Sequence, residues 1–382
     1  MVIKVIMDNK LTVDDGLDLD QFWALDQQAH ENNCFNDGTK VALGIRMCDE
    51  CVFDELGITV SHPWDHHDPK DMQNWRRLYN DRAEQIVGRR LLPEAIKPAD
   101  AVFPEIKRIG EVFGGKYTWQ NYTEWLEKGA ASYKELEAVL ERVETLDYRE
   151  FMLPPGWERE KQRIFDTYGL KPQTLRHVRG PVTLACSIFG DEDLIYLILD
   201  EPDLARRFSA AITHAILEMA KVMDEEAGVT PVTWPGFSFA DDCCCLMNPE
   251  MYELFGYPVL KAVFDHYSPL PGQGRFQHSD SDMGHLLQIL GRLNLTGVNF
   301  GPNVLTPEIR RYLPQARIVG CIAPFAFSRN DRAELLRQTR RDCLDGMKYG
   351  GVEIATAGSI NYGSSLHSLR YIMSLIQEYG RG

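Results

Sequence analysis

The tract Arg275-Phe276-Gln277-His278-Ser279-Asp280 places a histidine and a carboxylate one residue apart at the end of a strand-like run, and Ser281-Asp282 then opens an apolar-periodic segment. An imidazole titrates near neutrality, so a histidine oriented by a neighbouring carboxylate passes a proton readily to a leaving group. The same two side chains can hold a divalent metal when a third ligand joins them. A surface turn with a capping aspartate is the competing reading. Asp241-Asp242 follows another apolar tract, Pro231 to Phe239, and offers further carboxylates. Adjacent residues of a strand point to opposite faces, so one of this pair is expected to face the site and the other to cap a helix or meet solvent. Trp234 and Phe237 precede the pair and fit either the wall of an apolar pocket or plain core packing. Asn299, in Gly297-Val298-Asn299-Phe300, stands where an aliphatic residue would be easier to bury, which marks it as a candidate to hydrogen-bond a substrate.

Such residues need elements that bring them together, and from about Thr174 the sequence supplies them. Thr174 to Val178, Pro231 to Phe239, Arg275 to Gln277, Gly297 to Phe300, Arg317 to Cys321 and Val352 to Thr356 read as strands, each followed by helix-length amphipathic sequence. Asp191 to Glu201 and Pro202 to Glu226 read as helices, and Ser281 to Leu293 as the one after the His278 strand. Asn248-Pro249-Glu250 combines a capping side chain, a first-turn proline and an acid suited to the dipole of a helix running to about Tyr267. Thr306-Pro307-Glu308 opens another helix, and Asp331 to Tyr349 and Ser365 to Tyr379 are two more.

Crossovers of helix length force parallel pairing, and no dinucleotide fingerprint follows an early strand. The expected fold class is therefore α/β, a (β/α)8 TIM-type barrel with N-terminal insertions, whose chemistry belongs at the carboxyl ends of the strands. In the N-terminal part Lys40 to Ile45 reads as the first strand and Gln73 to Leu92 as a helix. Ile106 to Trp119 reads as a ribbon turned at Gly114-Gly115, and Ser132 to Thr145 as a helix. Residues 1–382 are taken as a single barrel domain, with 1–170 holding the first barrel units plus irregular insertions.

Composition narrows the function classes. The chain has 41 lysines and arginines against 56 acidic residues, a formal charge of −15 with no basic run, so a phosphate backbone has nowhere to dock and nucleic acid is not an expected partner. No apolar stretch reaches the roughly 18 residues of a membrane span, and Met1 to Asn9 lacks a secretory h-region, so a cytoplasmic protein is expected. Its nine cysteines are irregularly spaced, which favours reduced thiols. Cys243-Cys244-Cys245 cannot aim three side chains at one ion from a regular element, and rim packing is the expected role. Cys48-Asp49-Glu50-Cys51 has redox spacing but no thioredoxin-like context, and a helix start explains it equally. His62-Pro63-Trp64-Asp65-His66-His67-Asp68 reads as an extended loop, either over a barrel mouth or solvated.

The ordered motifs resemble those of the uroporphyrinogen decarboxylase superfamily. Gly180-Pro181-Val182-Thr183-Leu184-Ala185 is similar to its GPxTLA element, and Glu201-Pro202-Asp203-Leu204 opens the next helix as it does there. Asp241-Asp242 ahead of Met247-Asn248-Pro249-Glu250, the tract Phe255 to Phe264, His278-Ser279-Asp280 and Gly350-Gly351-Val352-Glu353-Ile354 follow in order, over residues 75–380. The resemblance implies a barrel with its site at the C-terminal mouth, and either tetrapyrrole decarboxylation or methyl transfer involving corrinoids.

The decarboxylases bind propionates with an N-terminal RQAGR segment and carry a histidine after the last strand. This chain has Gly44-Ile45-Arg46 and Ala357-Gly358-Ser359 at the corresponding places, which argues against a porphyrinogen substrate. The superfamily's zinc-dependent thiol methyltransferases use His-x-Cys and a later cysteine, where this chain has His278-x-Asp280 and Ser359. The family's thiolate set is thus gone, and the remaining His278 and Asp280 could hold a harder divalent metal, zinc being one candidate, with a third ligand at a neighbouring strand end, Cys321, Asp241 or Asp242.

The leading expectation is a methyltransferase-like enzyme moving a methyl group from a small methylated compound, such as an aryl methyl ether or methylamine, to a corrinoid. The Asp-x-His-x-x-Gly corrinoid signature is absent, so the corrinoid is expected on a separate protein that docks at the barrel mouth. His278, Asp280, Asp241 and Asp242 are the catalytic candidates, and Trp234, Phe237, Asn299, Ser359, Arg46 and Arg179 the substrate-binding ones. Two alternatives stay open. One is a decarboxylase or lyase of a non-porphyrin carboxylate, with His278 as proton donor and Arg46 or Arg179 as carboxylate clamp. The other is a barrel that binds a small molecule without catalysis. The resemblance also implies a homodimer.

Overall fold

A computed structural model of the chain describes residues 16–35, 41–62, 64 and 67–381. The Met1 to Asn9 segment, Lys40 at the start of the expected first strand, and Pro63, Asp65 and His66 of the histidine-rich loop lie outside the described residues. The strands are β1 (Val41–Leu43), β2 (Lys116–Gln120), β3 (Thr123–Glu127), β4 (His177–Arg179), β5 (Phe237–Ala240), β6 (Arg275–Ser279), β7 (Gly297–Phe300), β8 (Arg317–Ile322) and β9 (Val352–Thr356). β2 and β3 pair only with each other, and the other seven form the parallel α/β set of a barrel-type fold, one strand short of the eight of a complete ring among the described residues. No described helix is long and apolar enough to cross a membrane.

The chain divides into two compact units, Lys97–Val298 and the remainder, Met1–Ile96 with Asn299–Gly382. In the first, β4, β5 and β6 pair in parallel, with His177 opposite Ser238, Arg179 opposite Ala240 and Ala240 opposite His278. Residues along a strand alternate between its faces. Val178, Phe237, Phe239, Gln277 and Ser279 are buried, whereas solvent reaches His177, Arg179, Ser238, Ala240, Phe276 and His278 on the other face. The buried face packs on the helix Pro249–Tyr267, with the Phe237 and Tyr267 rings at 5.3 Å and those of Phe239 and Phe264 edge-to-face at 5.3 Å. That helix starts because Asn248 accepts the Met251 amide at 2.8 Å and Pro249 occupies a position that needs no donor.

Two expectations for this unit are corrected. The ribbon lies further along than Ile106 to Trp119: Lys116 pairs with Glu127 and Gln120 with Thr123, and the chain reverses at Asn121-Tyr122, both with positive φ (49° and 60°). A two-residue reversal of that hand matches the twist of paired strands, and asparagine tolerates it without glycine. Gly114-Gly115 drew the turn towards itself on composition. The helix expected from Ser281 to Leu293 is instead three short pieces, Gly284–Leu286, Leu287–Leu290 and Gly291–Leu293, in a stretch where Gly284 and Gly291 each disfavour helix by about 1 kcal/mol relative to alanine.

In the other unit β1 and β8 flank β9 in parallel, with Val41 and Ile318 both opposite Val352. The helices Arg332–Tyr349 and Leu366–Tyr379 begin at side-chain caps, Asp331 to the Glu334 amide at 3.1 Å and Ser365 to the Ser368 amide at 3.1 Å.

Candidate active site

His278 is the fourth residue of β6 and projects on the accessible face. Its Nε2 lies 3.6 Å from Oδ1 of Asp242, whose carboxylate also accepts the Asp280 amide at 3.0 Å. Donor atoms of Asp242, His278 and Asp280 all lie within 4.8 Å of one another. Partial burial and the charge of Asp242 push the Asp280 carboxyl above its usual range. A cation between the two carboxylates would relieve that repulsion, and one imidazole with two carboxylates is a donor set that suits a divalent ion of borderline or harder character. The residues therefore fit a metal.

Asp242 is placed by its neighbour. Asp241 is fully buried, and its Oδ1 accepts the Thr183 amide at 2.8 Å in the first turn of the helix Pro181–Phe189. Gly180, at the N-cap of that helix, has no side chain to cap it, so a carboxylate from the end of β5 takes over the role. Thr183 Oγ1 returns the contact by accepting the Cys243 amide at 2.9 Å, and the Asp241 amide donates to the His278 carbonyl at 2.9 Å. The Gly-Pro-Val-Thr motif is thus a clamp that fixes the turn carrying Asp242. A Cβ on Gly180 would meet the Asp241 Cβ at 2.3 Å. Gly180→Ala is expected to destabilise the protein by about 1–3 kcal/mol, since Asp241 is pinned and cannot retreat. An unchanged urea midpoint would contradict the clamp.

Burial pushes the Asp241 carboxyl up to about 7. Cys243 follows in the same turn, and its thiol is drawn down to about 7, first by a hydrogen bond from Cys186, whose own thiol is pushed up. Cys244 is buried, 3.7 Å from the Ser279 hydroxyl, so the three consecutive cysteines point to different surroundings.

Arg179 is on the His278 face and donates to Ser187 Oγ at 2.8 Å. Trp234 and Phe237 do not wall this face: Trp234 is exposed in the turn before β5, and Phe237 is buried on the opposite face against Tyr267. In the second unit Asn299 ties strands together, its Nδ2 donating to the Val319 and Thr356 carbonyls and its Oδ1 accepting the Gly358 amide at 3.1 Å. Cys321 is buried, with its thiol 3.7 Å from the Val304 carbonyl and its pKa raised by burial. Arg46 and Ser359 are exposed. Cys48 and Cys51 are free thiols 3.7 Å apart. Of the histidine-rich loop, His67 packs on Phe53 and Trp75, and Asp68 caps the helix Pro69–Val87 through the Lys70 amide at 2.8 Å.

Sequence reasoning passed over His177 and Ser238, which share the His278 face. Counting back two residues from Arg179 would have found the first, because side chains two apart on a strand emerge together.

The uroporphyrinogen decarboxylase (URO-D) family model matches residues 173–379, more than half of the chain. No curated protein matches it. Among solved structures, a methyltransferase from Methanosarcina mazei is similar at a TM-score of 0.55 and 15% identity, over 93% of this chain and 98% of that one. At that identity the likeness concerns the fold.

Proposed function

The chain belongs to the uroporphyrinogen decarboxylase family, and from that premise we propose that it is a methyltransferase-like enzyme that takes a methyl group from a small methylated compound and passes it to a corrinoid on a separate protein. The convergence of Asp242, His278 and Asp280 on one accessible face carries the reading. The corrinoid, when docked, supplies the acceptor for the methyl group. A divalent ion held by Asp242, His278 and Asp280 would polarise the heteroatom that bears it.

The chain's own residues have three tasks. When the carbon–heteroatom bond breaks, its electron pair stays on the heteroatom, which needs a proton if it is to leave as a neutral group. With no ion bound, His278 stands where an imidazole can deliver one and Asp242 orients the ring through Nε2; an ion held by these groups would take the place of that proton as the electrophile. Arg179, in the same row of the sheet, binds an anionic end of the substrate.

Incubating the purified protein with cob(I)alamin and a panel of aryl methyl ethers and methylamines is expected to yield methylcobalamin with at least one donor. Release of carbon dioxide from a carboxylate probe without any methylation would replace this reading with a lyase. Elemental analysis tests the metal: wild type purified with Zn²⁺ is expected to retain about one equivalent, and Asp242→Asn and Asp280→Asn to lose it roughly 10–100-fold more readily to a chelator. Equal retention by all three would remove the ion from the site.

A further inference from the structure

Ser238 Oγ lies 3.1 Å from the Arg176 carbonyl and 2.8 Å from Nδ1 of His177. With the hydroxyl proton on that carbonyl, Oγ accepts from Nδ1–H, and the tautomer that fits leaves the lone pair on Nε2. Solvent reaches the ring, yet enough protein surrounds it that burial, helped by the charge of His278, holds its pKa below the usual histidine range. At neutral pH His177 is therefore a neutral ring whose Nε2 accepts a hydrogen bond.

Arg179 repeats this logic two residues on. Ser187 Oγ donates to the Thr183 carbonyl at 2.9 Å and accepts from Arg179 Nη1 at 2.8 Å, which leaves guanidinium N–H groups of that side chain for a second acceptor. The two serines orient one acceptor and one cation on the face that carries His278. The backbones of His177 and Arg179 are two residues apart on β4, roughly 6.6 Å. In the Arg179 row the residue between β4 and β6 is Ala240, whose small side chain leaves room between Arg179 and His278.

We propose that this face binds a small carboxylate that also bears a hydroxyl or N–H donor, with Arg179 taking the carboxylate and His177 Nε2 accepting the donor. The proposal deepens the reading of the site above and rests on His278 as its reacting residue, but binding can be measured without turnover. The probes are benzoate, phenol and 4-hydroxybenzoate, the last holding both groups on one rigid ring.

Calorimetric titration of wild type is expected to give 4-hydroxybenzoate roughly two- to tenfold tighter than benzoate, the contribution of one neutral hydrogen bond. His177→Asn keeps an N–H donor towards Ser238 but deletes the outer acceptor. It is expected to erase that preference while leaving benzoate affinity unchanged, which also shows the variant is folded. Arg179→Gln is expected to weaken both anionic probes roughly tenfold or more and to leave phenol unaffected. Equal affinity of wild type for benzoate and 4-hydroxybenzoate, a preference that survives His177→Asn, or no binding of either anion overturns the proposal. Binding as expected without methyl transfer would instead overturn only the reaction assigned above.

Discussion

Replacing His278 with alanine is expected to lower turnover roughly 10²–10⁴-fold, the usual contribution of a positioned acid or base. The side chain is 25% exposed and lies outside the packed face of the sheet, so its loss opens no core cavity. The unfolding midpoint should therefore stay close to that of wild type while kcat collapses. His278→Gln keeps the volume and a hydrogen-bonding end but transfers no proton, and should be as inactive as the alanine variant. Asp242→Asn loosens both the ring it orients and the hold on an ion beside it, and is expected to lower kcat as well. Full activity in His278→Ala, measured with any donor that wild type turns over, would place the chemistry elsewhere.

The second large effect is on stability and concerns Asp241. Its folded carboxyl titrates at about 7, whereas an unfolded aspartate titrates near ~3.9. Between those values the folded chain keeps a proton that the unfolded chain has released. The stability tied to that proton is fully present below about pH 4 and is lost as pH rises through 7, at ~1.4 kcal/mol per pKa unit. The sum is several kcal/mol, a large fraction of what a domain has to spare. Asp241→Asn still offers an oxygen to the Thr183 amide and has no proton to lose. Subtracting its urea midpoints from those of wild type across pH 4–8 should leave a curve that falls towards high pH. A flat difference would mean that the buried carboxyl is not perturbed by its surroundings.

Local features of the fold were legible in the sequence. Asn248, Asp331 and Ser365 each cap the helix they precede, since a short polar side chain and the amides of the next turn are neighbours in the chain. The strands around Val298 and Ile354 were readable because they are apolar runs of strand length between helices. The Gly114-Gly115 turn and the helix after Ser281 were misjudged where composition gave two answers and packing chose between them.

For the site, residue types and spacing by themselves determined the tract His278-Ser279-Asp280, its place at a strand end, and the family to which the ordered motifs belong. They left Asp241 and Asp242 equivalent. The tertiary structure decided between them, because the answer depends on groups far away in the chain. The helix after β4 lacks a capping side chain of its own, and Gly180 lets Asp241 come close enough to serve as one. Once that carboxylate is spent on helix amides inside the protein, the next residue emerges on the outer side of the turn, and Asp242 meets His278.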